Sequence, residues 1–91
     1  LIVVVASVDS FSGFISSPPE IVSRGFVYVR ENEELIEEIR QIAADSIEKA
    51  LKRSRRIDRA DLKNTVKDDL SKYLYARTKR KPMVLPVIID A

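Results

Sequence analysis

The chain has 91 residues, 45% hydrophobic and 33% charged, with 16 basic and 14 acidic side chains and a net charge of +2. That makes one globular domain rather than a disordered tail, and no stretch approaches the roughly 20 apolar residues of a membrane-spanning helix. With no cysteine there is neither a disulfide nor a thiolate metal site, so a core this small, worth rarely more than about 3–5 kcal/mol, is expected to need a neighbour or a partner.

Residues 1–8 (Leu1-Ile2-Val3-Val4-Val5-Ala6-Ser7-Val8) are continuous, apolar and largely β-branched, which predicts a strand buried on both faces. They lack the basic flank and the length of a secretory signal, and no methionine precedes them. The expectation is a piece of a longer cytoplasmic protein. Asp9-Ser10-Phe11-Ser12-Gly13 is turn chemistry, with Gly13 suited to a positive φ, and Phe14-Ile15-Ser16 starts the return strand of a hairpin. Ser17-Pro18-Pro19 breaks it, because proline donates no ladder hydrogen bond. Residues 21–29 read as extended and partly strand-like, interrupted by Gly25.

Asn32 is a good N-cap for a first helix, with Glu33 and Glu34 in the turn where the helix dipole favours acids. Leu35, Ile36, Ile39, Ile42, Ala43, Ile47, Ala50 and Leu51 recur at three- and four-residue spacing as one apolar stripe. A basic linker, Ser54-Arg55-Arg56-Ile57, follows. Asp58 caps a second helix, with Asp61 three residues on in a capping-box-like arrangement and Leu62, Val66, Leu70, Tyr73 and Leu74 on its core side. Pro82 is expected to end that helix. Residues 83–89 form a last buried strand in which Pro86 implies a bulge or a free edge.

The order strand, strand, helix, helix, strand predicts an α/β fold: a mixed sheet of about three strands with two helices on one face. Strands 1–8 and 83–89 are expected side by side at its centre. Two helices cannot cover both faces, so the second face is expected to need a partner chain or a neighbouring domain.

Charge is distributed unevenly. Residues 31–51 hold seven acids against Arg40 and Lys49, whereas residues 52–81 hold twelve bases against four aspartates. Such asymmetry steers association, or simply gives each helix a solvated face. With no histidine or cysteine, the usual zinc ligands, general base and thiol nucleophile are missing. A carboxylate-only magnesium site would have to come from Asp61, Asp68 and Asp69 or from Glu33, Glu34, Glu37 and Glu38, all of which helix capping or a solvated face also explains. No GxGxxG, GxxxxGK or GxSxG motif occurs, and no catalytic, cofactor-binding or metal-binding residue is assigned.

Two basic clusters, Lys52, Arg53, Arg55 and Arg56 and then Arg77, Lys79, Arg80 and Lys81, sit at helix carboxyl ends, where dipole neutralisation competes with RNA contact as their role. Candidate RNA contacts are Arg55, Arg56, Lys79, Arg80 and Lys81, with Tyr73 or Tyr75 as stacking surfaces. Phe11, Phe26, Tyr28 and Tyr75 cannot all enter one small core. Candidate interface residues are therefore Arg24, Phe26 and Tyr28.

Three stretches carry a family resemblance: Ser23-Arg24-Gly25-Phe26-Val27-Tyr28-Val29-Arg30, then Tyr73-Leu74-Tyr75, then Thr78-Lys79-Arg80-Lys81-Pro82-Met83-Val84-Leu85-Pro86. In these the chain resembles the C-terminal domain of ribonuclease J, in register over almost its whole length; residues 52–57 and 9–13 look individual. The resemblance implies a parent that processes and degrades RNA, ribosomal and messenger RNA included, as an endonuclease and a 5′-to-3′ exonuclease. Its chemistry would lie in a metallo-β-lactamase part with a β-CASP insertion that holds two zinc or similar divalent ions on histidine/aspartate motifs. None of those motifs occurs here. The implied role is a non-catalytic domain that holds subunits together and supports activity, with a second copy, a paralogous subunit or the metallo-β-lactamase/β-CASP part as partner. The alternative is an RNA-binding module guiding substrate to the nuclease part.

Overall fold

The computed structural model describes residues 1–9, 11–24, 29–54 and 56–90, with the side chains of 29–32 excepted. The elements are β1 (Ile2–Asp9), β2 (Phe14–Ile15), β3 (Glu20–Ser23), α1 (Val29–Arg53), α2 (Arg59–Thr78) and β4 (Val84–Asp90). The expected order holds, with a fourth strand in place of about three: β3 arises at the start of the stretch expected to be extended and partly strand-like.

β1 is the centre of the sheet. β4 runs parallel to it from Ile2↔Val84 to Val8↔Asp90 and so takes one whole edge. β2 and β3 share the other edge, both antiparallel, at Val8↔Ile15 and at Ile2↔Ser23 through Val5↔Glu20. The two most apolar strands are thus neighbours, but β4 is an edge strand rather than a second central one. Pro86 accounts for that. The Ile2 N–H donates to the Met83 carbonyl at 2.8 Å, and backbone bonds to one side recur every second residue. Residues 83, 85 and 87 therefore bond towards β1, and Pro86 turns its missing N–H to the free edge.

The hairpin closes as its residue types dictate. Gly13 takes φ 76° and its N–H donates to the Asp9 carbonyl at 2.9 Å, while the Asp9 carboxylate accepts from the Phe11 N–H at 2.9 Å. Ser16-Ser17-Pro18-Pro19 then separates β2 from β3.

α1 begins at Val29, so Asn32 lies inside the helix and is not its N-cap. No proline or glycine stands between Val29 and Asn32, and nothing in those residue types stops the helix from starting earlier. The segment before it, including Gly25 and Val27, lies outside the described residues. At α2 the expectation holds: Asp58 sits in extended geometry and its side chain accepts from the Ala60 N–H. The other end differs, because α2 stops at Thr78, with Lys79 left-handed at φ 61° and its N–H donating to the Tyr75 carbonyl at 2.8 Å. Pro82 stands further on and is not what terminates the helix.

Ile2, Val4, Ala6 and Val8 from β1, Leu35, Ile39, Ala43, Ile47, Ala50 and Leu51 from α1, Leu62, Val66, Leu70 and Leu74 from α2, and Val84 make one core. The α2 stripe is a strict four-residue repeat, which gives a narrow contact row. Between the helices, the buried Ser46 hydroxyl donates to the Asp69 carboxylate at 2.6 Å, and the Arg59 guanidinium pairs with Asp90 to fasten the start of α2 to the end of β4. Among the described residues, no helix is long and apolar enough to cross a membrane.

Candidate interaction surface

Side chains alternate between the faces of a strand, so the register of β1 sorts the whole sheet. Even-numbered β1 residues point at the helices. Odd-numbered ones point away, where the pairings place Val22, Val3 and Leu85 in one row, Glu20, Val5 and Val87 in the next, and Ser7 beside Ile89. Leu1 and Met83 extend this face at one end, and Phe14, paired with Asp9, closes the other. Met83 is 70% exposed, Phe14 54%, Leu85 50%, Ile89 48% and Val22 47%. Burial on both faces of β1, as the residue types suggest, is therefore not achieved by this chain alone: its even residues are buried and its odd ones half-buried.

Arg24 stands at a corner of this face. Its N–H donates to the Leu1 carbonyl at 2.9 Å, extending the β1–β3 ladder by one pair, and its side chain is exposed. The other two candidate interface residues, Phe26 and Tyr28, lie outside the described residues. Phe11 is 90% exposed at the hairpin tip. The residues that make the apolar face, Val22, Met83, Leu85, Val87 and Ile89, escape a search for exposed aromatics; the signal that finds them is the odd-numbered parity of two strands pairing in register.

The basic clusters do not merge. Ser46 meets Asp69 and Glu38 meets Tyr73, so the helices are antiparallel, and the 20 residues of α2 hold the two clusters roughly 30 Å apart. Arg56 is exposed at one end; Lys79, Arg80 and Lys81 are exposed at the other. Arg55 lies outside the described residues.

The acidic part of α1 runs beside the basic end of α2, and this uses some of the uneven charge within the fold. Arg77 reaches Glu38 at 3.3 Å, and the Tyr73 hydroxyl donates to the same carboxylate. The Tyr73 bond, with help from Arg77, holds the Glu38 carboxyl below its ordinary value. Burial, and then the bond to Glu38, pushes Tyr73 up. Tyr73 is thus committed to joining the helices, whereas Tyr75 is 47% exposed.

The carboxylates considered for a metal ion go separate ways. Asp69 accepts from Ser46, Glu37 pairs with Arg40, Glu38 is taken by Tyr73 and Arg77, and the Asp61 side chain lies in the exposed first turn of α2. Among the described residues no three histidine, cysteine or carboxylate side chains are grouped to hold a metal.

The family model described as the ribonuclease J C-terminal domain matches residues 1–91. This chain belongs to that family. The domain is 41% identical over 90 residues to ribonuclease J 2 of Staphylococcus epidermidis, 40% to ribonuclease J 2 of Staphylococcus aureus (strain NCTC 8325) and 38% to ribonuclease J2 of Bacillus subtilis (strain 168). Each alignment covers 99% of this chain and 16% of the relative, so the domain spans about one sixth of the curated proteins it matches.

Proposed function

We propose that the domain is the non-catalytic, subunit-holding part of a cytoplasmic ribonuclease J, and that it acts by burying the outer face of its sheet against a second copy or a paralogous subunit. The parent would process and degrade RNA as an endonuclease and 5′-to-3′ exonuclease, with two divalent metal ions in its metallo-β-lactamase part. This chain would contribute association and support of activity, and it is expected to turn over no RNA when given Mg²⁺, Mn²⁺ or Zn²⁺.

The observation that carries the reading is the apolar outer face running from Val22 through Val3 to Leu85 and on to Val87 and Ile89. Strands that are nearly continuous in apolar residues belong in sheets covered on both sides, and a contiguous exposed apolar patch marks an interaction surface. Contact through the face is favoured over strand addition at an edge. Pro86 interrupts the donors of the β4 edge, and Pro18 and Pro19 precede the short β3 edge. Arg24 fits the polar rim, where it would affect association rate more than lifetime. A stable contact would bury on the order of 1,200–2,000 Å² in total, about half of it on each partner.

Sedimentation equilibrium tests this. The chain is expected to dimerise, and Val87→Glu to leave a folded monomer. A monomeric wild-type chain at the highest soluble concentration would reject self-association and leave docking onto the metallo-β-lactamase/β-CASP part, testable by deleting the domain from the parent.

A further inference from the structure

We propose that the carboxyl end of α2 binds single-stranded nucleic acid, with one base stacked on Tyr75 and the adjoining phosphates held by Lys72, Lys79 and Lys81. The site goes beyond the subunit contact, since it uses α2 rather than the sheet.

The helix ends on a residue that its geometry does not favour. A left-handed position closing a helix is ordinarily glycine, because a Cβ is strained there. Here it is Lys79, at φ 61°, held by its own N–H on the Tyr75 carbonyl. The reversal is fixed further by the Thr78 hydroxyl, which donates to the Leu74 carbonyl at 2.7 Å and accepts from the Arg80 N–H at 3.2 Å. As a result the chain doubles back across Tyr75. The Lys79 ammonium lies 5.6 Å and the Lys81 ammonium 5.2 Å from the centre of the Tyr75 ring.

Ser71, Lys72, Tyr75 and Lys81 line an open groove of about 430 Å³ beside that ring, and none of the four is acidic. Its size falls in the lower part of the roughly 300–1,000 Å³ of small-ligand clefts, room for a nucleotide unit rather than a duplex. Arg77, in the same helical turn, shows the contrast: it is spent on Glu38. Among the described residues, Lys72, Lys79, Arg80 and Lys81 enter no ion pair. Neutralising the helix dipole would account for positive charge here. It does not account for a half-exposed aromatic ring under two ammonium groups, nor for lysine at a glycine position. Exposed ammonium–ring contacts are weak, so both lysines can exchange the ring for phosphates while a base takes the ring face. Aromatic stacking combined with a basic track is how single strands are held without sequence preference.

The test is fluorescence anisotropy of a fluorescein-labelled 12-nucleotide single-stranded RNA titrated with the 91-residue chain, with the same RNA annealed to its complement as comparison. Tyr75→Ala is expected to weaken single-strand binding by about tenfold and Tyr75→Phe to leave it nearly unchanged, in line with stacking of one base. Lys79→Gly separates binding from folding: it relieves the left-handed strain and raises Tm, yet is expected to weaken binding and make the dependence of log Kd on log salt shallower by about 0.7. No binding by the wild-type chain, equal binding by Tyr75→Ala, or equal affinity for the duplex would overturn the proposal.

Discussion

Ile2, Val4, Ala6 and Val8 lie wholly beneath the helices, while Val3 and Val5, their immediate neighbours on the same strand, are only half covered. The same division runs through β4, where Val84 is buried and Leu85, Val87 and Ile89 are exposed. The outer face is largely apolar as well, although it includes Ser7 and Glu20, and the two faces differ chiefly in what covers them. One set of residues holds the domain together, and the other supplies apolar surface beyond what a single chain encloses. The proposal is that a partner covers that excess.

The inner face should be intolerant of charge. Ile39→Asp or Leu70→Asp places an unpaired carboxylate in the closed core at a cost of several kcal/mol, against a total stability of about 5–15 kcal/mol for a domain of this kind. Loss of the cooperative thermal transition is expected for both; a retained transition would mean that the core is not the one described. The outer face should behave oppositely. Val87→Glu is expected to abolish association in sedimentation and to change Tm little under dilution that already separates the wild-type copies, because exposed substitutions stay within about 0.5 kcal/mol. At high concentration the wild-type chain keeps the higher Tm.

Smaller effects sharpen how the inner layer is fastened. Ser46→Ala removes the donor to Asp69 and should cost about 0.5–1.5 kcal/mol in urea unfolding, at the lower end because the aspartate can turn to water. The least expected change concerns Glu38. Its carboxyl is held below the ordinary value, so its stabilisation is complete above the unfolded-state value and is lost as pH falls through the depressed one. Tyr73→Phe removes the largest cause of that depression and should flatten the acid limb of a Tm-against-pH curve. An unchanged acid limb would show that the Tyr73–Glu38 bond does not hold in solution.

Much of this was legible in the residues. The apolar spacing of Leu35, Ile39, Ala43 and Ile47 and of Leu62, Val66, Leu70 and Leu74 is periodic enough to place both helix faces, and Asp58 marks the start of α2 through its cap. The adjacency of β1 and β4 follows from two strands too apolar to stand apart, whereas their parallel direction is seen only in the pairing register. The start of α1 was not legible, because Asn32 is as acceptable inside a helix with acidic neighbours as at its cap. Nor was the end of α2: lysine carries no mark of a left-handed cap, so Pro82 draws the boundary in its place. As for the candidate surfaces, apolar residues in excess of what two helices cover could be read from composition, but the members of the outer face could not. Only the pairing register shows that Val22, Leu85 and Val87 share a face, and only the reversal at Lys79 brings Lys81 back over Tyr75.

The central claim is that the outer face of the sheet is covered by another copy. Because the chain has no cysteine, a single thiol can report on this at a chosen position. Leu85→Cys places one on the outer face and Lys63→Cys places one on the exposed side of α2. The account predicts that alkylation at position 85 is slow in concentrated solution and accelerates as the chain is diluted, while the rate at position 63 stays constant. Equal rates at both positions, independent of concentration, would contradict it.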